Sequence, residues 1–145
     1  MIQPMTRDDI VALMHRRKDA LNRHDIPGLC ELYAVDCAVH SPMAAGLVRG
    51  RQAVRRVYEA FFDAFPDVTY EMETIIVEGN AVAAAGTLTG TSAGGFMGLP
   101  ASGKAFTVPV VTVNSVDDGL IVEERRVYDF TGLLVQAGVL RARPA

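Results

Sequence analysis

The fold is decided by a stretch in the second half of the chain, FTVPVVTVNSVDDGLIVEERRVYDF at residues 106–130. Residues 106–116 and 121–130 are rich in β-branched and apolar side chains, which favours two strands. Asp117-Asp118-Gly119 between them is typical of a tight hairpin turn, because glycine readily adopts a positive φ. Pro109 lacks a backbone N–H, so we expect a strand edge or a bulge at this position.

The same pattern continues towards the N-terminus. Residues 68–78 and 81–91 predict two further strands, joined by the turn Glu78-Gly79-Asn80. Residues 92–104 carry glycines and a proline and predict a longer loop between the second and third of these four strands. Four strands in succession predict an antiparallel meander.

Helical spacing dominates before residue 66. The first helix is expected over about residues 6–23, with Thr6 and Asp9 as a capping pair. We expect its Arg16-Arg17-Lys18 run to be a solvated face. A short helix with Asp25 as N-cap, a strand over residues 36–41 and a third helix from Gly50 to about Ala64 follow it.

Helices followed by a meander predict the α+β fold class. A strongly curved antiparallel sheet can wrap around a long helix and leave a conical pocket, where a small molecule binds among apolar side chains and a few polar groups. Residues 132–138 predict a short apolar segment after the last strand.

Composition limits the classes of function. The chain has 145 residues, which is the usual size of one domain, and we expect a single domain over residues 1–145. Its net charge of -3 predicts binding neither to nucleic acid nor to a membrane. Cys30 and Cys37 are too few for a disulfide framework, and no signal peptide is evident, so we expect free thiols and a cytoplasmic protein.

Common catalytic motifs are absent from the sequence. It contains no phosphate-binding P-loop, no GxGxxG and no HExxH, and no Ser or Cys stands at a recognisable strand-to-helix elbow. His15, His24 and His40 are scattered, without the spacing of metal ligands. We therefore expect acid–base chemistry in a pocket, with no cofactor and no metal.

Several segments, in order, resemble one family. They are Ala20-Leu21-Asn22, Val39-His40-Ser41-Pro42, Arg49-Gly50-Arg51, Phe65-Pro66-Asp67, residues 96–103, Ile121-Val122-Glu123-Glu124 and residues 128–134. Over roughly residues 7–140 the chain resembles the SnoaL-like polyketide cyclase family, within the nuclear-transport-factor-two-like superfamily of α+β cones. The resemblance implies intramolecular aldol ring closure of an aromatic or apolar small molecule without a cofactor, and a homodimer formed through the outer face of the sheet.

The resemblance also implies catalytic residues. Asp129 matches the strand-end aspartate that serves as acid/base in these cyclases; its alternative role is to cap the turn at Thr131-Gly132. His40 lies two residues before Pro42, where the superfamily often has a polar residue facing the pocket. It is our second catalytic candidate, and its alternative is a purely structural histidine.

Six residues are candidates for binding the substrate. Arg125 stands where the family commonly has an aromatic residue; facing the pocket it would hold an anionic or carbonyl group, and on the other face it would be a surface charge. Met43, Phe96, Met97 and Leu99 would cover a flat apolar substrate or belong to the core. Tyr58, on the third helix, completes the set, although most of its helix face is expected to be core.

Other activities of the same fold remain to be compared. A ketosteroid isomerase needs a base and two oxyanion donors, and their positions here hold Ser41, Arg17 and Val111, so we exclude it. An epoxide hydrolase needs an Asp–Arg–Asp set, and residues 107–116 contain neither residue type. A cofactor-independent hydroxylase of anthracycline-like polyketides stays open, as does a non-catalytic binding or dimerisation module.

Overall fold

In the computed structural model, most of the chain's helices and strands follow the order that the sequence patterns predict. The structure describes residues 4–44, 46–95 and 97–141. Along these residues lie α1 (Arg7–Asn22), α2 (Ile26–Cys30), β1 (Tyr33–Ser41), a 3₁₀ turn (Pro42–Ala44), β2 (Gly46–Arg49), α3 (Arg51–Ala64), β3 (Thr69–Glu78), β4 (Ala81–Thr91), β5 (Ala105–Asp117), β6 (Leu120–Tyr128) and α4 (Phe130–Gln136).

The first three helices begin where local capping chemistry predicts. The Thr6 hydroxyl accepts a hydrogen bond from the Asp9 N–H at 3.1 Å, and the Asp9 carboxylate accepts one from the Thr6 N–H at 3.0 Å. The Asp25 carboxylate accepts a bond from the N–H of Gly28 at the start of α2. Gly50 precedes α3 with a φ of 89°. These predicted helix starts are confirmed.

The six strands form one curved sheet in the order β2-β1-β6-β5-β4-β3. Strands β3 to β6 pair with their neighbours in antiparallel hairpins, as the meander predicts. The hairpin turns use Gly79 and Gly119, whose φ angles are 58° and 79°. Strands β1 and β6, distant in sequence, run parallel. The predicted α+β class with a curved sheet is confirmed. Through the parallel pairing of β1 with β6, β1 and β2 are added to the predicted meander.

Sheet curvature has a local cause in β3 and β4. A bulge lies between Met72 and Thr74 of β3, and Met72 is paired with Gly86 of β4. A side chain at Gly86 would overlap the carbonyl oxygen of Glu71. Bulges bend a strand and increase its twist, and here the bend depends on a residue without a Cβ.

Pro109 lies at a local edge of β5, as predicted. Pairing of β5 with β6 ends at Val110 and Tyr128, so Pro109 lies just beyond the last paired residue. The side-chain amide of Gln136 on α4 bonds there to the N–H and carbonyl of Thr107 at 2.7 and 3.1 Å. The missing N–H of proline therefore breaks no ladder to β6.

Strand β2 has no counterpart among the predicted elements. It has four residues and pairs only with β1, from Ala38–Arg49 to Ser41–Gly46. Such a short strand is specified by its neighbour and carries little signal of its own. The apolar segment after β6 forms α4, whose Leu133 is fully buried.

The core lies between the helices and the inward face of the sheet. Phe65, at the end of α3, makes an edge-to-face contact with Phe106 of β5, with ring centroids 4.8 Å apart. Cys30 and Cys37 are free, as predicted, and both are buried. Among the described residues, no helix is long and apolar enough to cross a membrane.

Candidate functional site

A pocket of about 550 Å³, including its opening to solvent, lies between α1, α3 and the inward face of the sheet. The wall is largely apolar and includes a hydrogen-bonded cluster of polar side chains. The lining residues are Arg17, Leu21, Ser41, Met43, Val57, Tyr58, Phe61, Tyr70, Leu88, Val110, Thr112, Glu124, Arg126 and Tyr128.

Strand periodicity explains which residues of β6 enter this pocket. Side chains two residues apart share a face of a strand. Glu124, Arg126 and Tyr128 lie on the inward face and line the pocket, whereas Arg125 and Val127 are exposed on the other face. The last strand therefore contributes one carboxylate, one guanidinium and one phenol to the site.

Arg17 links α1 to the sheet through three acceptors. Its guanidinium forms an ion pair with Glu124 and donates to the side chains of Asn114 at 2.9 Å and Thr112 at 2.7 Å. Arg17 is only 4% exposed and Glu124 only 1%. Arg126, 12% exposed, pairs with the other oxygen of Glu124 at 2.6 Å. Two buried guanidinium groups thus share one carboxylate.

Two tyrosines complete this polar network. The Tyr33 hydroxyl donates to Oε1 of Glu124 at 2.8 Å and bonds to the Tyr58 hydroxyl at 2.7 Å. The Arg126 guanidinium lies over the Tyr58 ring, 4.6 Å from its centroid, in a cation–π contact. Both oxygens of Glu124 therefore accept hydrogen bonds, and the Tyr58 ring helps to hold Arg126 in place.

The network fixes the charge states of its members. Burial raises the pKa of Glu124, but the charges of Arg126 and Arg17 outweigh it and hold this pKa below its ordinary value of 4.5. Burial also raises the pKa of Tyr33 and Tyr58. At neutral pH the site therefore holds two cationic arginines, one ionised glutamate and neutral tyrosines.

Two further phenols line the pocket without a partner. The buried hydroxyls of Tyr70 and Tyr128 make no hydrogen bond to any described residue. Burial raises the pKa of Tyr128 to about 12, against smaller lowering effects of the Arg126 charge and of the nearby Ser41 side chain and Met43 backbone. Burial raises the pKa of Tyr70 as well. Unpaired buried hydroxyls are rare in native proteins, so we expect a bound water or ligand to supply the acceptor for these two phenols.

The two predicted catalytic residues lie outside this pocket lining. Asp129 is exposed and caps α4, where its carboxylate accepts a hydrogen bond from the Gly132 N–H at 2.8 Å. His40 faces the other side of β1, with its Nε2 atom 4.0 Å from Glu123. Their catalytic roles stay predictions. The geometry shows Asp129 in the capping contact that was its alternative role.

The predicted substrate-binding residues divide between the pocket and the surface. Met43 and Tyr58 line the pocket. Arg125 is exposed on the outer face and lies 3.7 Å from Glu123, the surface alternative described for it. Met97 is exposed and Leu99 packs against the core, and neither lines the pocket. Phe96 lies outside the described residues.

Sequence reasoning missed five polar residues of this site, which are Arg17, Tyr70, Glu124, Arg126 and Tyr128. The expectation of a solvated Arg17 was wrong, because it falls on the buried stripe of α1 with Ile10, Leu13, Met14 and Ala20. That position follows the i, i+3, i+4, i+7 spacing and could have identified it. The two-residue period of β6 predicts that Glu124 and Arg126 share one face of the strand, but it does not say whether that face points into the pocket.

This arrangement favours stabilisation of negative charge. Its polar side chains present guanidinium and phenol donors, and its single carboxylate is already bonded. Preorganised donors in a water-poor pocket stabilise an oxyanion that develops during a reaction. Among the described residues, no group of three His, Cys, Asp or Glu side chains could hold a metal ion.

Comparisons with known proteins identify a family and several solved structures similar to this chain. The family model of the SnoaL-like polyketide cyclases matches residues 12–137. AclR from Streptomyces galilaeus, a proposed hydroxylase, is 29% identical, with 96% of this chain and 91% of AclR covered and a TM-score of 0.83. IdmH from Streptomyces antibioticus, a proposed polyketide cyclase, is 31% identical, covering 89% and 98%, with a TM-score of 0.76.

The fold is shared more widely. An NTF2-like protein of unknown function from Burkholderia pseudomallei is 17% identical to this chain. Its structure superimposes with a TM-score of 0.78, and the match covers 92% of this chain and 98% of the Burkholderia protein. The sequence has no significant match among curated proteins. The matched family model spans most of the chain, which therefore belongs to the SnoaL-like polyketide cyclase family.

Proposed function

We propose that this protein closes a ring in a polyketide-type substrate by intramolecular aldol condensation, without a cofactor, in the pocket lined by Arg126 and Tyr128. One observation carries the proposal: a largely apolar pocket is lined by two unpaired phenol donors and by the guanidinium of Arg126. Membership of a cyclase family supports the reaction class.

The chemistry needs an enolate and a protonated alkoxide. A C–H group between two carbonyls is acidic, and its enolate spreads charge over two oxygens. The Arg126 charge favours that ionisation, and the proton leaves to water or to a base of the site. The enolate carbon then attacks a carbonyl carbon of the same molecule, forming one C–C bond and an alkoxide.

Proton transfer completes the step. The Tyr128 hydroxyl is neutral, with a pKa of about 12, and it is a stronger acid than the alcohol that forms from the alkoxide. It therefore donates its proton to the new alkoxide and regains one from water. Glu124 is unsuited to act as the base, because its pKa is lowered and both oxygens accept hydrogen bonds. Its part is to hold Arg17 and Arg126. Asp129 and His40 remain candidates for the base.

An activity assay tests the proposal. Purified protein is incubated with an uncyclised anthraquinone β-keto ester, with and without oxygen, and the products are separated by chromatography and weighed by mass spectrometry. We expect an isomer of unchanged mass in both atmospheres. Tyr128→Phe should slow its formation about 10²–10⁴-fold, the range for loss of a general acid. Full activity of Tyr128→Phe would refute this role.

Asp129→Asn is the companion variant. Asparagine caps a helix about as well as aspartate, so this change keeps the fold and removes only the acid/base group. Loss of ring closure in Asp129→Asn would support the catalytic role that the family resemblance implies. Unchanged ring closure would leave Asp129 with its capping contact alone.

Hydroxylation is the second candidate, favoured by the 29% identity to the proposed hydroxylase AclR. The same assay separates it from ring closure, because a hydroxylated product gains the mass of one oxygen and forms only in air. A substrate that binds but stays unchanged in every sample would instead support a non-catalytic binding module.

We also propose a homodimer through the outer face of the sheet. Val111, Val113 and Val127 are exposed there, Val127 to 61%, and Val111 is paired with Val127 across β5 and β6. A contiguous apolar patch favours association. Light scattering after size-exclusion chromatography should give twice the mass of one chain, and Val113→Glu should give a monomer. A wild-type monomer at micromolar concentration would contradict this interface.

A further inference from the structure

The polar side chains of the pocket carry an excess of positive charge. Arg17 and Arg126 contribute two positive charges and Glu124 one negative charge, all three buried. The other titratable side chains lining the pocket within the described residues are tyrosines, with pKa values raised chiefly by burial and therefore neutral at pH 7. A buried charge without a partner is costly, so a net charge of plus one favours an anionic ligand.

The hydrogen-bond partners of the pocket residues also favour an anionic ligand. Oε1 of Glu124 accepts from Tyr33 and Arg126, and its other oxygen accepts from Arg17. The Thr112 hydroxyl already accepts from the guanidinium of Arg17. The groups left over are the hydroxyls of Tyr70 and Tyr128, which act as donors when neutral. A ligand that satisfies them must offer acceptors.

The rest of the wall decides what kind of anion fits. Leu21, Val57, Phe61, Leu88 and Val110 also line the pocket and make much of its wall apolar. A compact, strongly hydrated anion would lose its water there without compensation. A flat body with delocalised charge loses less, and the guanidinium of Arg126, itself planar and held over the Tyr58 ring, suits it.

We propose that the pocket selects its ligand as a delocalised oxyanion, an enolate or phenolate on a flat aromatic body, with the charged oxygen bound by Arg126 and the hydroxyls of Tyr70 and Tyr128. The choice of an aromatic ligand rests on the proposed function. The preference for the ionised form rests on the charge and donor pattern, and it is measurable without turnover.

A phenol that changes colour on ionisation tests this preference. 2-Hydroxyanthraquinone is titrated from pH 5 to 10 by absorbance, alone and with excess protein. We expect binding to lower the apparent pKa of the probe by one unit or more, which is at least a tenfold preference for the phenolate. 2-Methoxyanthraquinone, which cannot ionise, should bind at least tenfold more weakly at pH 8 than the phenolate.

Variants locate the effect in the pocket. Tyr128→Phe and Tyr70→Phe each remove an unpaired hydroxyl, so both should fold, and each should weaken phenolate binding about tenfold while leaving binding of the methoxy compound unchanged. Glu123→Gln, on the outer face, is the matched control and should leave the probe's apparent pKa in the complex as in wild type.

Each other outcome counts against the proposal. An unshifted probe pKa, equal affinity for the methoxy compound, or no binding of the phenolate would overturn it. Tighter binding of anthraquinone-2-carboxylate than of the phenolate would overturn the choice of a delocalised oxyanion. Phenolate selection without ring closure would refute only the proposed function, whereas ring closure with an unshifted probe would refute only this inference.

Discussion

Replacing Glu124 with glutamine removes the carboxylate that two buried arginines share. The glutamine amide nitrogen is a donor, so it would oppose the guanidinium donors of Arg17 or Arg126 instead of accepting from them. Breaking one partner of a buried ion pair typically costs about 3–5 kcal/mol, because the remaining charge stays buried and unpaired. For a chain of this size that corresponds to a melting temperature lowered by roughly 6–20 °C.

The assay is urea denaturation followed by circular dichroism, with Glu123→Gln as the matched control. Glu123 is 46% exposed and lies near His40 and Arg125 on the outer face, so its substitution should change the unfolding free energy by less than about 1 kcal/mol. If Glu124→Gln and Glu123→Gln differ from wild type by the same small amount, the buried network does not stabilise the fold and the reasoning fails.

The pH dependence of this difference has a definite sign. The pKa of Glu124 in the folded protein lies below its ordinary value of 4.5, so folding favours the ionised form. Its contribution to stability is fully present well above pH 4.5 and is lost as pH falls through the folded pKa. The gap between wild type and Glu124→Gln should be constant from pH 6 to 8 and narrow below about pH 4.5. A gap that widens on acidification would contradict this assignment.

Three further substitutions give separate tests of the structure. Tyr33→Phe removes a buried donor to Glu124 and should cost about 1–3 kcal/mol in urea denaturation, whereas Tyr70→Phe removes an unpaired hydroxyl and should be neutral or stabilising; equal losses would contradict the hydrogen-bond assignment. Asp129→Ala should cost about 0.5–2 kcal/mol of unfolding free energy as a lost N-cap, and an Asp129→Asn variant as unstable as Asp129→Ala would argue against capping. Gly86→Ala should lower the melting temperature by several degrees, because overpacking costs about 1–3 kcal/mol, and an unchanged melting temperature would contradict the close approach in the bulge.

Local chemistry in the sequence was sufficient for most of the fold. The caps of α1 and α2 depend on residues three positions apart, and the hairpin turns depend on Gly79 and Gly119 at the turns themselves. Such interactions involve neighbours along the chain, so a single sequence reveals them. The same holds for the period-two pattern of β5, whose buried and exposed residues alternate from Ala105 to Asn114.

The site was less accessible to sequence reasoning, because its members come from distant elements. The period of β6 separates Glu124 and Arg126 from Arg125, but periodicity alone does not say which set faces the pocket. That direction is set by the face of the sheet on which α1 packs, where Arg17 meets Glu124 from a distant part of the chain. Arg17 shows the same limit, since its place on an apolar stripe becomes understandable only opposite the carboxylate of Glu124.

The sequence by itself determined the α+β class, the helix starts, the hairpins and the family. Only the tertiary structure decided that Arg17, Glu124 and Arg126 meet in one pocket, that Tyr70 and Tyr128 lack partners there, and that Asp129 caps a helix at the surface. The physical reason is the separation along the chain of the residues that interact. Caps, turns and strand periods are interactions between near neighbours, whereas burial of a charge depends on which distant residue neutralises it.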